Sequence, residues 1–256
     1  MTLQIDINCD MGESFGLYTY GHDADMLPLI SSANVACGFH AGDPTVMRDT
    51  VVGAMVNKVK VGAHVGFPDR MGFGRRNMQI APRELKDHTT YQLGALAAFV
   101  GAQGLELQHV KPHGSLYMMA LEDQAMAKAL VEAVVEFDDT LMIYTIRASA
   151  TWQAAQAKGL RSVAEFFADR PYHKNGQVKM FNWTIQEAGG DPKALGERVA
   201  RLITQGEISS FEGGTLAMTA ETVCVHSDTP GAPEILKAVK DALDENHITI
   251  APPQEV

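Results

Sequence analysis

SANVACGFHAGDP (residues 32–44) places an apolar run, a glycine-rich loop and a helix start in direct succession. The apolar run is typical of a buried parallel strand. Asp43-Pro44 then provides an N-cap followed by proline at the first helical position. Three apolar side chains follow at helical spacing, namely Met47, Val51 and Ala54. A strand, a loop and a helix in this order are one unit of a parallel α/β fold.

The same pattern recurs along the 256 residues. Further strand-like runs occupy residues 3–10, 60–67, 106–114, 140–146, 160–170 and 221–228. Helical patterns between them begin near Pro82, Leu121, Asp191-Pro192 and Pro233. About seven strands without a dinucleotide fingerprint favour a distorted (β/α) barrel of parallel strands over a doubly wound sheet.

No linker-like segment divides the chain, so we expect a single α/β-barrel domain over residues 1–256. The segment from about 166 to 190 has few helical signals. It predicts an excursion from the barrel that serves the active site, with a small hairpin around Asn175-Gly176.

Composition excludes several classes of function. A formal net charge of −10 argues against a nucleic-acid partner, because phosphate binding needs a basic surface. No apolar run reaches the length of a membrane span. Three dispersed cysteines, together with a first segment that lacks signal-peptide features, predict a cytoplasmic protein.

Titratable side chains gather at the carboxyl ends of the predicted strands. They are Asp10, Glu13, His40, Asp43, His64, Lys111, His113, Glu165, Asp169, Arg170, His226 and Asp228. In a parallel barrel these ends converge on one mouth, where active sites lie. Each residue alone is as consistent with a structural role as with catalysis, but the repetition favours an active site at the rim.

Other chemistry receives less support from the residues. Arg75 and Arg76, in GFGRR (72–76), are suited to a carboxylate or a phosphate, or else to surface salt bridges. Neither a P-loop nor a GxSxG elbow is present. Cys9 is more consistent with a buried apolar role than with a nucleophile. HExxH and HxH are absent, so we assign no metal ligands, although histidines from separate strands leave a divalent metal open.

Six ordered motifs together identify a family. They are DINCDMGESFG, SANVACGFHAGDP, VGAHVGFPDRMGFGRR, HVKPHGSLY, FADRPY and CVHSDTP. They resemble the LamB/YcsF family of 5-oxoprolinase A subunits. The resemblance implies a barrel similar to those of glycoside hydrolases and deacetylases. It also implies ATP-dependent opening of 5-oxoproline (pyroglutamate), a small lactam, to L-glutamate, with two partner subunits, B and C. ATP would be a co-substrate, and we expect no tightly bound cofactor.

This resemblance and the chemistry of lactam opening suggest roles. We assign catalysis to Asp10, Glu13, His64, Lys111, His113 and His226. We assign substrate binding to Asn8, His40, Asp43, Arg75, Arg76, Asp169, Arg170 and Asp228. In this scheme Lys111 and His113 offset negative charge on oxygen, Asp10 or Glu13 is the base, and His64 and His226 transfer protons. An arginine holds the substrate carboxylate.

Alternatives remain at this stage. Family members typically carry Gly-x-Leu-x-x-Arg after FADR-x-Y, whereas this chain reads GQVKMFNW (176–183). Smaller departures occur at Val65, Ser115, Met118 and Ser227. Another lactam or cyclic amide is therefore open as the substrate. The rival functions are a metal-dependent deacetylase of an acetylated sugar amide and a non-catalytic binding subunit.

Overall fold

Seven parallel strands close into a barrel in the computed structural model, which describes residues 3–254. The barrel strands are β1 (Gln4–Met11), β2 (Ser32–Ala36), β3 (Lys60–Val65), β4 (Leu107–Pro112), β5 (Met142–Thr145), β6 (Arg161–Phe167) and β9 (Thr222–Cys224). The sheet closes because β9 pairs in parallel with both β6 and β1. The predicted barrel of about seven parallel strands is therefore confirmed, and all seven predicted runs contribute a strand.

Helices follow most barrel strands. They are α1 (Asp23–Met26), α2 (Pro44–Asn57), α3 (Pro82–Ala102), α4 (Gly114–Ala120), α5 (Gln124–Phe137), α6 (Ala150–Lys158), α7 (Ile185–Ala188), α8 (Pro192–Gln205) and α9 (Ala232–Glu245). The side chains of Asp43 and Asp191 accept hydrogen bonds from the first-turn amides of α2 and α8, as the Asp-Pro pairs predict. Sequence patterns did not reveal α6, which Ser149 caps.

The interior of the barrel is polar along β1. Asp6, Asn8 and Asp10 alternate with apolar residues and are at most 4% exposed. Because successive strand residues face opposite sides, these three share the side that faces the barrel interior. Ile7 and Cys9 belong to the apolar core. The alternation places carboxylates inside the barrel at two levels.

Two irregular segments interrupt the pattern. After β6, residues 168–184 form a long loop in which Tyr172 and Val178 make an isolated antiparallel bridge around Asn175-Gly176. Strands β7 (Glu207–Ser209) and β8 (Thr215–Ala217) form a separate hairpin that the sequence did not predict. A final strand, β10 (Thr249–Ile250), pairs with the start of β1. Among residues 3–254, no helix combines the length and the apolar character needed to cross a membrane.

Candidate active site

A cavity of about 390 Å³ opens at the carboxyl end of the barrel. Eight of the predicted site residues line it, namely Asp10, His64, Arg75, Lys111, His113, Arg170, His226 and Asp228. They come from five barrel strands, β1, β3, β4, β6 and β9, or from the loops that follow them. The convergence expected of a parallel barrel therefore brings these side chains into one cavity.

Lys111 is the central cation at the floor. Its Nζ lies 2.8 Å from Asp10 Oδ1, 3.1 Å from Glu165 Oε1 and 3.3 Å from Asn8 Oδ1. Burial disfavours the charge, but the neighbouring acidic groups, Asp10 and Glu165 among them, together outweigh burial and raise the pKa of Lys111 well above its usual value. Lys111 is therefore a fixed positive charge beside the cavity.

Asp10 is held ionised by its neighbours. Its Oδ1 accepts hydrogen bonds from Lys111 and from Asn34 Nδ2 at 2.9 Å, while Oδ2 lies 3.3 Å from His64 Nε2. Burial raises the pKa of Asp10, but the charges of His64 and Lys111 outweigh burial and bring the pKa well below its usual value. A carboxylate this strongly stabilised is a weak base, and it is better suited to electrostatic stabilisation than to proton abstraction.

His64 and His113 face each other with their ring nitrogens 2.9 Å apart. His64 Nδ1 donates to the carbonyl oxygen of Lys111, and His113 Nε2 donates to that of Phe73, because a carbonyl only accepts. In their neutral forms both rings therefore direct a lone pair into the 2.9 Å gap. Facing lone pairs repel each other, so a positive species shared by the two nitrogens would stabilise this contact.

His226 forms a dyad with Asp169. The Nδ1 atom of His226 lies 3.1 Å from Asp169 Oδ1, so it carries the proton and directs Nε2 towards the cavity and Asp10. Asp169 also accepts from Arg170 at 2.6 Å. Burial raises the pKa of Asp169, but the guanidinium of Arg170 and His226 outweigh burial and lower the pKa. Asp169 thus orients a ring whose free nitrogen faces the site.

The cavity rim contains two arginines with different surroundings. Arg75 pairs with Asp228 at 2.5 Å, where Tyr20 also donates to the carboxylate, and its side chain is 35% exposed. Arg170 is 4% exposed, bonded to Asp169 and stacked on the Trp183 ring at 4.4 Å. Arg75 is therefore the more accessible of the two.

The other predicted residues do not line the cavity. Glu13, His40 and Asp169 are buried behind its wall, and Asn8 lies below Lys111 inside the barrel. Asp43 caps α2 and accepts from the Gly16 amide. The side chain of Arg76 is 66% exposed and pairs with Asp69. Asp43 and Arg76 thus have structural partners away from the cavity.

Sequence reasoning missed several residues of the site. Asn34 donates to both Asn8 and Asp10, and its signal was a polar residue inside an apolar strand run. The sequence placed Glu165 at a strand end and gave it no role. In the structure its carboxylate forms an ion pair with Lys111. The loop after β6 adds Met180, Phe181, Asn182 and Trp183 to the wall, and α4 adds Tyr117. In the sequence, apolar residues of the cavity wall cannot be distinguished from apolar residues of the core.

Two groups of described residues are placed to hold a cation. One contains Glu13, His40, His64 and His113, and the other contains Asp10, Cys224 and His226. In each group the potential ligand atoms lie within 4.8 Å of one another, and every member is buried. Imidazole and carboxylate ligands of this kind suit divalent transition metals.

Sequence comparison places the chain among known proteins. A sequence model of the LamB/YcsF family matches residues 5–256. The chain belongs to the LamB/YcsF family. It is 45% identical to the A subunit of 5-oxoprolinase from Syntrophobacter fumaroxidans, over 97% of this chain and 98% of that protein. It is 43% identical to the A subunit of 5-oxoprolinase from Pyrococcus furiosus, over 98% of each chain.

Solved structures agree with this LamB/YcsF assignment. The crystal structure of the lactam utilization protein from Thermus thermophilus superposes with a TM-score of 0.90 at 41% identity, over 97% of this chain and 99% of that one. T48 deacetylase superposes with a TM-score of 0.50 at 9% identity, over 98% and 88% of the two chains. The second likeness shows the fold alone and confirms the expected deacetylase-like barrel.

Proposed function

We propose that this chain is the hydrolytic subunit of a cytoplasmic, ATP-dependent 5-oxoprolinase that opens 5-oxoproline to L-glutamate together with partner subunits B and C. The names of its relatives support the substrate and the multi-subunit assembly. The observation that carries the hydrolytic role is the Asp169–His226 dyad, whose free ring nitrogen faces a cavity bordered by Lys111. A base beside a fixed positive charge is the equipment that hydrolysis of an activated amide requires.

The chemistry begins with an unreactive bond. A lactam carbonyl is resonance-stabilised, so phosphorylation of its oxygen by ATP makes the carbon electrophilic. Water adds to that carbon, the ring C–N bond breaks with a proton passing to nitrogen, and an acyl phosphate forms. A second water hydrolyses the acyl phosphate to L-glutamate and phosphate.

His226 is our candidate for moving the protons. Its Nε2 accepts a proton from the attacking water, and the resulting imidazolium is stabilised by Asp169 and passes the proton to the ring nitrogen. Geometry favours His226 over Asp10 or Glu13 as the base. Asp10 is bound by Lys111 and Asn34, and Glu13 lies behind the wall.

Charge at the cavity supports the remaining roles. Lys111 is fixed by Asp10 and Glu165, so its ammonium offsets negative charge on the phosphorylated oxygen without reorganising. Arg75 binds the ring carboxylate, because its guanidinium is partly exposed whereas that of Arg170 is buried against Asp169. Trp183 and Phe181 form an apolar wall against the ring.

The test is turnover of the assembled enzyme. We would combine this chain with its B and C subunits and measure glutamate and ADP formed from 5-oxoproline and ATP. His226→Asn is expected to lower turnover roughly 100- to 10,000-fold, the usual range for loss of a general base. His173→Asn is the matched control, because His173 also pairs with a carboxylate, Glu212 at 2.9 Å, but is only half-buried and lies outside the cavity.

The same assay decides between this proposal and the non-catalytic rival. Wild-type turnover by the His226→Asn complex would remove His226 from the mechanism. If the B and C subunits form glutamate at the full rate without this chain, its role is limited to binding and the proposal fails.

A further inference from the structure

We infer that His64 Nε2, His113 Nδ1 and Glu13 Oε1 form a binding site for one divalent transition-metal ion at the edge of the cavity. The inference rests on the convergence of three buried ligand atoms and on the partners that orient each of them. It goes beyond the proposed function, in which no step uses a metal.

The spacing of the atoms fits an ion. Ligands on a four-coordinate ion with bonds of about 2.0–2.1 Å lie roughly 3.3 Å apart. His64 Nε2 lies 2.9 Å from His113 Nδ1, which lies 3.5 Å from Glu13 Oε1. The rings of His64 and His113 are inclined at 87°, so one ion can lie in both ring planes.

Hydrogen bonds to the backbone turn His64 Nε2 and His113 Nδ1 towards each other and towards the carboxylates of Asp10 and Glu13. His64 Nδ1 and His113 Nε2 both donate to backbone carbonyls, at 2.9 and 2.8 Å. Metal-binding histidines almost always donate the opposite N–H to a carbonyl or carboxylate, which fixes the tautomer. Two lone pairs at 2.9 Å repel each other, and a divalent ion bound to both nitrogens relieves that repulsion for both rings at once.

His40 completes the arrangement as a supporting residue. Its Nε2 lies 3.3 Å from Glu13 Oε1, while its Nδ1 is buried and has no hydrogen-bond partner. His40 stacks on His113 at 3.7 Å with the rings only 4° from parallel. Parallel rings cannot both place one ion in their planes, so His40 orients Glu13 and does not bind the ion.

Glycines allow this close packing of rings. A Cβ atom at Gly66 would come 2.4 Å from His40 Nδ1, and one at Gly74 would come 2.7 Å from His113 Cδ2. Any larger residue would displace the rings. His64 and His113 line the cavity, which leaves the remaining coordination positions open towards it. Three protein ligands with an open position are typical of a catalytic rather than a structural metal site.

The test uses Co²⁺ as the probe. We would strip the purified full-length chain with a chelator, titrate Co²⁺, and follow its visible d–d absorption together with calorimetric stoichiometry. The expected result is one ion per chain with a spectrum of nitrogen and oxygen coordination. Glu13→Gln and His113→Asn should each abolish the stoichiometric site. His40→Asn should weaken it by roughly 10- to 100-fold, as for an orienting residue.

His226→Asn is the matched control, since His226 is buried and lines the same cavity but lies outside the set. It should keep the ion with unchanged affinity even though turnover is lost. The inference is overturned if the wild-type chain binds no stoichiometric Co²⁺, or if Glu13→Gln and His113→Asn bind it as wild type does. Full 5-oxoproline turnover by a stripped complex would speak against a catalytic use of the ion, while leaving the proposed function standing.

Discussion

Asp6 and Asp10 lie on the same strand, both face the inside of the barrel, and both are buried, yet their surroundings differ in kind. Asp6 accepts hydrogen bonds from Ser31, Ser32, Thr222 and Tyr144, all of them neutral hydroxyls. Burial raises the pKa of Asp6 to about 6. Burial also acts on Asp10, but the charges of His64 and Lys111 outweigh it and lower the pKa of Asp10.

The two aspartates belong to different kinds of network: Asp6 is bound by neutral hydroxyls, whereas Asp10 is bound by charged groups. Hydroxyls stabilise a buried carboxylate by hydrogen bonds but cannot cancel its charge, whereas a cation can. The Asp6 network is packed within the barrel, while the Asp10 network borders the cavity. We therefore expect the Asp6 network, the lower one, to affect stability and its pH dependence. We expect the Asp10 network, the upper one, to affect turnover as well.

Removal of the central cation should have the largest effect. Lys111→Met leaves the buried Asp10 and Glu165 without their counter-charge, and breaking a buried pair in this way costs about 3–5 kcal/mol. In the lower network, Tyr144→Phe removes one hydrogen bond to Asp6 and should cost about 1 kcal/mol. Urea unfolding at pH 7 measures both. Equal losses in the two variants would contradict the distinction.

Turnover should separate the two aspartates. Asp10→Asn weakens the electrostatic field around Lys111 and should lower turnover roughly 100- to 1,000-fold, as for loss of one preorganised group. Asp6→Asn should leave turnover within a few-fold of wild type. Steady-state assays of the assembled enzyme check this. If Asp6→Asn proved as inactive as Asp10→Asn, the two levels of the barrel would not be functionally distinct.

The pH dependence of stability should show the smallest effect. Because the folded pKa of Asp6 lies above its unfolded value of 3.8, its stabilising contribution is complete below about pH 4 and is lost as pH rises towards 6. Each pH unit in that window is worth about 1.4 kcal/mol. The free energy of unfolding of the wild type should therefore fall by up to about 3 kcal/mol relative to that of Asp6→Asn. Urea unfolding of both proteins from about pH 4 to 7 measures how the free energy of unfolding changes with pH. The same pH dependence in the two proteins would refute this prediction.

Particular residues show how far sequence reasoning reached. Asp43-Pro44 and Asp191-Pro192 marked helix starts that the structure contains, because a cap and a proline act on their immediate neighbours. The hairpin of β7 and β8 was missed, as was α6, because each is short and weakly patterned. Asp43 was placed at the site for its position at a strand end, but its carboxylate is used by the α2 amides and the Gly16 amide.

The sequence by itself determined the parallel barrel and the mouth at which polar side chains gather, because alternation, caps and strand-end positions are local properties of the chain. Only the tertiary structure decided which of those side chains meet. It paired His226 with Asp169, surrounded Lys111 with two carboxylates, and left Arg76 outside the cavity. Pairing depends on strand register, barrel closure and burial, which join residues far apart in the chain, and no local pattern specifies them.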